Sequence, residues 1–117
     1  MIGGRLAYLS LYVNDVRESR TFYADLVGLP IVSDEDWGVV LDAGGVQLFL
    51  HPGRDPQAPQ HLEMTFSVGD VDAAIGDLAA VGVRVVEQPT DRDWGDRDGA
   101  VEDPDGNVVY LRSGRGT

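Results

Sequence analysis

Residues 9–16 read Leu-Ser-Leu-Tyr-Val-Asn-Asp-Val, and residues 64–71 read Met-Thr-Phe-Ser-Val-Gly-Asp-Val. The two stretches lie 55 positions apart, and each alternates apolar and polar residues like a half-buried β-strand before it reaches an Asp. Asp is a favoured residue at the start of a helix, because its carboxylate accepts hydrogen bonds from the free N–H groups of the first turn. The pair therefore predicts two strand–helix units and indicates an internal duplication.

The sequence after each Asp continues the parallel. Residues 17–26 and 72–80 carry apolar side chains at helical spacing, and each run is followed by a Val-Gly pair. Glycine is the favoured residue just past a helix end, so helices are predicted over both runs. We expect strands to follow at residues 30–32 and 83–86.

The last part of each half repeats as well. Residues 34–38 read Asp-Glu-Asp-Trp-Gly, and residues 91–95 read Asp-Arg-Asp-Trp-Gly. A glycine-bearing turn then leads into a final strand, at residues 42–50 in one half and 103–111 in the other. Each half is therefore predicted to run strand, helix, strand, strand, strand.

A proline-rich segment separates the halves, with three prolines within residues 51–60. The chain has 117 residues, which suits one domain. We therefore predict a single domain over residues 1–117. Its predicted parts are a first module at about 5–51, a linker at 52–60 and a second module at about 61–113.

Composition and charge narrow the class of protein. Hydrophobic residues make up 43% of the chain and no apolar run is long enough to span a bilayer, so we expect a globular, cytoplasmic protein with no membrane partner. The absence of cysteine excludes disulfides and thiol chemistry. A net charge of −11 disfavours nucleic acid as a partner and attracts cations, although acidity also serves solubility.

The repeats also carry a family resemblance. Residues 22–29 read Phe-Tyr-Ala-Asp-Leu-Val-Gly-Leu, and residues 103–107 read Asp-Pro-Asp-Gly-Asn. On these segments the chain resembles the vicinal oxygen chelate superfamily, which includes glyoxalase I, bleomycin-resistance proteins, fosfomycin-resistance enzymes and extradiol dioxygenases. The resemblance implies an α+β fold in which two tandem βαβββ modules form an open cup-shaped mixed sheet with helices on the convex side. It also implies a homodimer.

The resemblance further implies where a metal would bind. Metal-dependent members use one position on the first and one on the last strand of each module, and the matching positions here are Tyr8, Phe49, Glu63 and Tyr110. Only Glu63 is an ordinary ligand for a divalent metal, and Phe binds none. We therefore expect no metal and no other cofactor, unlike the glyoxalases and dioxygenases.

Two weaker metal hypotheses remain. The two histidines flank the linker, so a relocated divalent-metal site could use His51, His61 and Glu63; alternatively both histidines lie at strand ends, exposed or capping the linker. The acidic stretches at residues 34–36 and 91–98 could bind calcium weakly, although they lack EF-hand spacing.

Strand alternation separates a buried face from a ligand-facing one. On the first strand the apolar set, Leu9, Leu11 and Val13, is expected to pack under the helix, and the opposite face is expected to line the cup. The predicted ligand-binding residues are Tyr8, Ser10, Trp37, Phe49, His51, Glu63, Thr65, Trp94, Tyr110 and Arg112. The alternative is that the aromatic residues belong to the core or to a dimer interface.

Charged groups on that face have further candidate roles. Glu63 is the candidate catalytic residue, a carboxylate that would act as a general base. Arg97 and Arg112 could pair with Glu63 or hold an anionic group of a substrate. The competing interpretation for both is ordinary surface pairing with the abundant acids.

Two functional hypotheses follow. The first is a metal-free, bleomycin-resistance-like protein that binds a small aromatic or cationic molecule, an antibiotic or a metabolite, with resistance by sequestration as one consequence. The second is a glyoxalase-like lyase or isomerase that uses Glu63 as a base or a relocated divalent metal. A non-catalytic interaction or regulatory role has no positive support in the sequence.

Overall fold

The computed structural model describes residues 1–3, 5–57 and 62–114. The chain divides into two compact units, Met1–Pro59 (unit 1) and Gln60–Thr117 (unit 2). His61 lies outside the described residues. In the described part of the chain, no helix is long and apolar enough to cross a membrane.

Unit 1 runs strand, helix, strand, strand, strand. Its elements are β1 (Tyr8–Val13), α1 (Val16–Arg20) with a π-helical continuation (Thr21–Leu26), β2 (Ile31–Glu35), β3 (Gly38–Asp42) and β4 (Gln47–Pro52). Unit 2 has the same order, with β5 (Met64–Ser67), α2 (Val71–Ala80), β6 (Val85–Asp91), β7 (Asp96–Glu102) and β8 (Val108–Gly114).

The two sheets have matching topology. The strand order is β1-β4-β3-β2 in unit 1 and β5-β8-β7-β6 in unit 2. In each sheet the first strand pairs parallel with the last one, and the other pairings are antiparallel. The prediction of an α+β fold with two tandem βαβββ modules is confirmed.

Aspartate caps both helices, as their positions in the sequence predict. The Asp15 carboxylate accepts from the N–H groups of Arg17 and Glu18 at 2.9 and 3.3 Å, and the Asp70 carboxylate accepts from Ala73 N–H at 3.1 Å. Each of these bonds provides an acceptor for an N–H group of the first helical turn, which has no acceptor within the helix. Gly28 and Gly82, the predicted terminators, both have positive φ.

Strand lengths and helix type depart from the simple pattern. β2 continues to Glu35 and β6 begins at Val85 and continues to Asp91, so both strands extend beyond the predicted residues 30–32 and 83–86 into the acidic stretches. The second half of the first helix is π-helical, and Val27 N–H donates to the Phe22 carbonyl five residues back. This register turns both Phe22 and Tyr23 into the core.

Alternation along the strands creates one buried face in each sheet. Leu11 and Val13 of β1 are buried, as are Leu48 and Leu50 of β4, and α1 packs against β3 and β4. In unit 2 the strand residues Met64, Val101, Val109 and Leu111 are buried, and α2 packs against β6, β7 and β8. The opposite face of each sheet carries the polar and aromatic side chains from which the site is built.

Candidate functional site

Unit 1 presents four neighbouring rings on the face opposite its helix, of which three are stacked and the fourth is tilted. We call Tyr12, His51, Phe49 and Trp37 the aromatic ladder. Consecutive ring centroids are 4.7, 3.7 and 5.5 Å apart, and the first two pairs are nearly parallel. The strands produce this order, because β1 and β4 pair in parallel with Tyr12 beside His51. Offset and stacked rings at these distances attract one another beyond simple burial.

His51 occupies the middle of the aromatic ladder. It is half-buried, and its Nε2 lies 3.2 Å from the Ser10 hydroxyl oxygen. Burial lowers the pKa of His51 below its ordinary value, because desolvation penalises the charged imidazolium. His51 lies near the end of β4, as the sequence-based alternative expected, and its half-buried ring is part of the stacked array.

Unit 2 holds a concave pocket of about 430 Å³ on the corresponding face of its sheet. Its lining is unlike the aromatic ladder, because charged groups dominate it. The lining residues are Glu63, Thr65, Glu87, Arg92, Trp94, Asp96, Asp98, Tyr110 and Arg112. Four carboxylates face two guanidinium groups, so the net charge of the lining is −2.

The two arginines of the pocket are bound by its own carboxylates. Arg92 Nε donates to Asp98 Oδ1 at 2.7 Å, and Arg92 Nη2 lies 3.4 Å from Glu87 Oε2. Arg112 donates to Asp96 Oδ1 at 2.6 Å and to the Ser67 hydroxyl at 2.9 Å. Glu63 differs from the other three pocket carboxylates because it is exposed, whereas they are half-buried.

The phenol of Tyr110 shows the character of the pocket. Burial raises the pKa of Tyr110, and the carboxylates of Glu87 and Glu63 raise it further, because a phenolate would face negative charge. Tyr110 therefore stays a neutral phenol at physiological pH. Trp94 is 70% exposed, so its ring forms an aromatic wall that is open to solvent.

The ten predicted binding residues divide equally between the units. In unit 1, Ser10, Trp37, Phe49 and His51 come together at the aromatic ladder, and Tyr8 lies two residues before Ser10 on the same exposed face of β1. In unit 2, the five that line the pocket are Glu63, Thr65, Trp94, Tyr110 and Arg112. That these residues bind a ligand stays a prediction.

Sequence reasoning missed four of the pocket's six charged groups. Glu87, Arg92, Asp96 and Asp98 were not among the predicted residues, whereas Tyr12 of the aromatic ladder lies on the face of β1 that was expected to line the cup. The sequence holds a signal for two of the four, because Asp96 and Asp98 flank Arg97 on one strand and so share a face. In the pairing of β7 with β8, Asp98 lies opposite Arg112. That signal can be used only when the pairing register of β7 and β8 is known.

Arg97 has no place in the pocket. It lies on the other face of β7, where its guanidinium forms a two-pronged contact with Asp72 of α2 at 2.8 and 2.9 Å and also reaches Asp91. The interpretation as surface pairing is correct for Arg97, and Arg112 is likewise paired with an acid. The hypothesis of weak calcium sites is weakened, since Asp34, Asp91, Asp96 and Asp98 all contact arginines.

The family's metal positions do not fit a metal here. Of the four positions only Glu63 is an ordinary ligand for a divalent metal, because Phe49 has no donor atom and Tyr8 and Tyr110 carry phenols. Among residues 1–3, 5–57 and 62–114, no three His, Asp or Glu side chains gather as a metal would require. The alternative at His51, His61 and Glu63 includes a residue outside the described ones. Independence from metal stays a prediction.

Comparison with known proteins places this geometry in a family. The Glyoxalase/Bleomycin resistance protein/Dioxygenase superfamily model matches residues 5–111. The chain belongs to this superfamily. A relative, the uncharacterized protein YraH of Bacillus subtilis, is 30% identical over 123 aligned positions, which cover 92% of this chain and 96% of that protein.

Solved structures of superfamily proteins share the fold. TnmS3, an antibiotic binding protein from a Streptomyces species, is 28% identical with a TM-score of 0.78, covering 97% of this chain and 98% of its own. A glyoxalase/bleomycin resistance protein/dioxygenase family enzyme from Burkholderia phytofirmans has a TM-score of 0.81 over 93% of this chain and 98% of its own, at 16% identity. The second likeness concerns the fold alone.

Proposed function

We propose that this protein binds a small organic cation that carries an aromatic ring, and that the pocket of unit 2 is its binding site. The observation that carries the proposal is the lining: an exposed Trp94, a neutral Tyr110 and a net charge of −2 in one cavity of about 430 Å³. A cation gains there from carboxylates and from aromatic faces at once. The chain's charge of −11 adds long-range attraction.

The superfamily likeness supports a small-molecule ligand. TnmS3 is an antibiotic binding protein, and its identity of 28% extends over nearly all of this chain. We propose an antibiotic or a metabolite as the ligand, bound without a metal, with sequestration as the biological consequence. We also propose a homodimer that acts in the cytoplasm; sedimentation at micromolar concentration tests the oligomeric state.

The test of the proposal is calorimetric titration with bleomycin, a cationic antibiotic with a planar aromatic tail, in the presence of EDTA. We expect a dissociation constant in the micromolar range or tighter, about −8 kcal/mol. Trp94→Ala should weaken binding about tenfold, because the ring supplies the apolar wall. Absence of binding at about 1 mM would overturn the proposal for this ligand class.

A charge-matched pair of variants tests the role of the carboxylates. Glu63→Gln keeps the shape of an exposed pocket side chain and removes one negative charge, so it should weaken bleomycin binding about threefold to tenfold. Asp77→Asn removes the same charge from α2, outside the pocket lining, and should leave binding within twofold. Equal effects of the two changes would indicate a general field rather than a site.

The metal-free part of the proposal has its own measurement. Thermal unfolding of the EDTA-treated protein is followed with Zn²⁺, Ni²⁺, Mn²⁺ or Fe²⁺ added. A metal at about 100 times its dissociation constant would stabilise the fold by about 2.7 kcal/mol and raise the midpoint by several degrees. We expect no shift; a saturable one would return the site at His51, His61 and Glu63 to consideration.

The enzymatic alternative keeps one observation in its favour: the Glu63 carboxylate lines the pocket and is accessible to a bound molecule. If Glu63 acts as a general base in a lyase or isomerase, Glu63→Gln should abolish turnover while the ligand still binds. Chromatography of bleomycin after long incubation with the protein separates the alternatives, since a binding protein returns it unchanged.

A further inference from the structure

One side chain in the pocket of unit 2 already has the chemistry of the proposed ligand. Arg92 follows β6 directly, and its guanidinium lies between the carboxylates of Glu87 and Asp98. Its central carbon is 5.9 Å from the centroid of the Trp94 ring, within the range of a cation–π contact. A planar organic cation is thus held by two acids and an indole.

We propose that Arg92 is an internal occupant of this cation site, and that a planar amidinium or guanidinium group of a ligand binds by displacing it. The inference rests on the proposed function and names the ligand class more narrowly. The geometry is that of guanidinium recognition: one short bond of 2.7 Å to Asp98, a second nitrogen 3.4 Å from Glu87, and an aromatic face alongside.

The backbone allows the exchange without refolding. Arg92 N–H donates to the Asp96 carbonyl at 2.8 Å, and the Arg92 carbonyl accepts from Gly95 N–H at 3.2 Å. The turn between β6 and β7 is therefore fixed by main-chain bonds that do not involve the guanidinium. The side chain has several rotatable bonds, so it can leave the acids while its backbone stays in place.

The strength of the Arg92 ion pairs also favours displacement of Arg92 over a site that it fills permanently. The Arg92 side chain is 24% exposed and Glu87 is 42% exposed, so solvent screens part of the attraction. An internal contact of this kind lowers the apparent affinity for a ligand by the fraction of time that the site is filled. Selectivity follows, because a neutral aromatic molecule cannot replace the charge that the acids lose.

Arg97 provides a matched comparison. It carries the same charge on the next strand and is also bound by two acids, Asp72 and Asp91, but it is not part of the pocket lining. Loss of Arg97 changes the chain's net charge as loss of Arg92 does. A difference between the two substitutions therefore reports the pocket and not the overall field.

Benzamidine, an aromatic amidinium, is the probe. Calorimetry should show that Arg92→Ala binds benzamidine about five- to tenfold more tightly than the unmodified protein, while Arg97→Ala changes the affinity less than twofold. Benzamide, the neutral analogue, should gain nothing from Arg92→Ala. Arg92→Gln keeps most of the side chain and serves as the second variant if the alanine variant does not fold.

Displacement has a direct readout as well. In the unmodified protein the Arg92 Nε–H group donates to Asp98. Its NMR resonance should move to the chemical shift of a solvated arginine as benzamidine saturates the site. An unchanged resonance at saturation, or an affinity in Arg92→Ala and Arg92→Gln no higher than in Arg97→Ala, overturns the inference.

The bleomycin titration keeps the two proposals distinguishable. If bleomycin binds and the Arg92 variants show no gain for benzamidine, the inference about Arg92 is wrong while the proposed function stands. If the unmodified protein binds neither compound and the Arg92 variants bind neither, the proposed function is overturned and the inference fails with it. Tighter benzamidine binding in the Arg92 variants supports both.

Discussion

The two units share a topology and differ in the chemistry of the exposed sheet face. In unit 1 that face is a ladder of stacked rings, and in unit 2 it is an acidic pocket with two arginines bound inside. Both faces come from the same strand positions, since β1 with β4 and β5 with β8 have the same parallel pairing. The duplicated framework thus determines which residues face outward and leaves their identity open to divergence.

The turns before the last strands differ in how much of the fold depends on them. In unit 2, the buried Asp103 accepts three hydrogen bonds, from Asp105 N–H at 3.0 Å and from the backbone and side-chain N–H groups of Asn107, both at 2.8 Å. In unit 1, the exposed Asp42 accepts one, from Gly44 N–H at 2.9 Å. The comparison predicts that Asp103 contributes more than Asp42 to the stability of the fold.

Replacement of each aspartate by alanine tests this and has the largest expected effect. Asp103→Ala should lower the free energy of unfolding by about 3 kcal/mol, because it leaves buried donors without an acceptor. Asp42→Ala should cost less than about 1 kcal/mol, since water replaces the lost bond. Urea unfolding of both variants measures the difference. Equal losses of unfolding free energy would show that the two aspartates contribute equally to the stability of the fold.

The sequence predicted the framework well, because its signals are local. The Asp caps at 15 and 70, the glycines at 28 and 82 and the alternation on the strands each depend on neighbouring residues, and the structure confirms them. The π-helical continuation of α1 was not predicted, since apolar spacing does not distinguish it from an α-helix.

The pocket was harder to predict because cross-strand register determines it. Glu87 and Asp98 lie on different strands, and Arg92 joins them only when β6 and β7 pair with irregularities between Val85 and Thr90. Such bulges shift which side chains share a face. Arg92 and Arg97 look equivalent in the sequence, yet alternation and pairing send them to opposite faces of the sheet.

The Trp-Gly pairs of the two units sharpen the comparison, because each glycine is required for a different reason. A Cβ on Gly38 would lie 2.7 Å from Phe49 Cε1 and 2.9 Å from the Leu50 carbonyl oxygen, so Gly38→Ala pushes into the aromatic ladder. We expect a loss of about 2 kcal/mol and a change in Trp37 fluorescence. Gly95 has open space but a φ of +99°, so Gly95→Ala should cost about 1 kcal/mol through backbone strain.

Tryptophan fluorescence separates these two causes. Only Gly38→Ala should alter the stacking of Phe49 on its neighbours, whereas Gly95→Ala should change stability with little change in the emission of Trp37. Substitution of Trp94 by Phe removes the second fluorophore and makes the assignment direct. A fluorescence change of the same size in both variants would mean that strain at Gly95 also reaches unit 1.

The smallest expected effect is a dependence on pH that belongs to unit 1. The folded pKa of His51 lies below its unfolded value of about 6.5, so the unfolded state binds the proton more readily. The contribution of the neutral ring is therefore complete above pH 6.5 and declines as the pH falls below it. Asp34 and Asp72, whose carboxyl pKa values are lowered by arginines, contribute above about pH 4 and lose that contribution only in stronger acid.

Unfolding by urea at pH 7 and pH 5 should consequently show a modest loss of stability that His51→Phe reduces, because phenylalanine keeps a ring between Tyr12 and Phe49 without a titrating group. Equal losses in both proteins would place the dependence elsewhere in the chain and remove the stacked histidine as its cause.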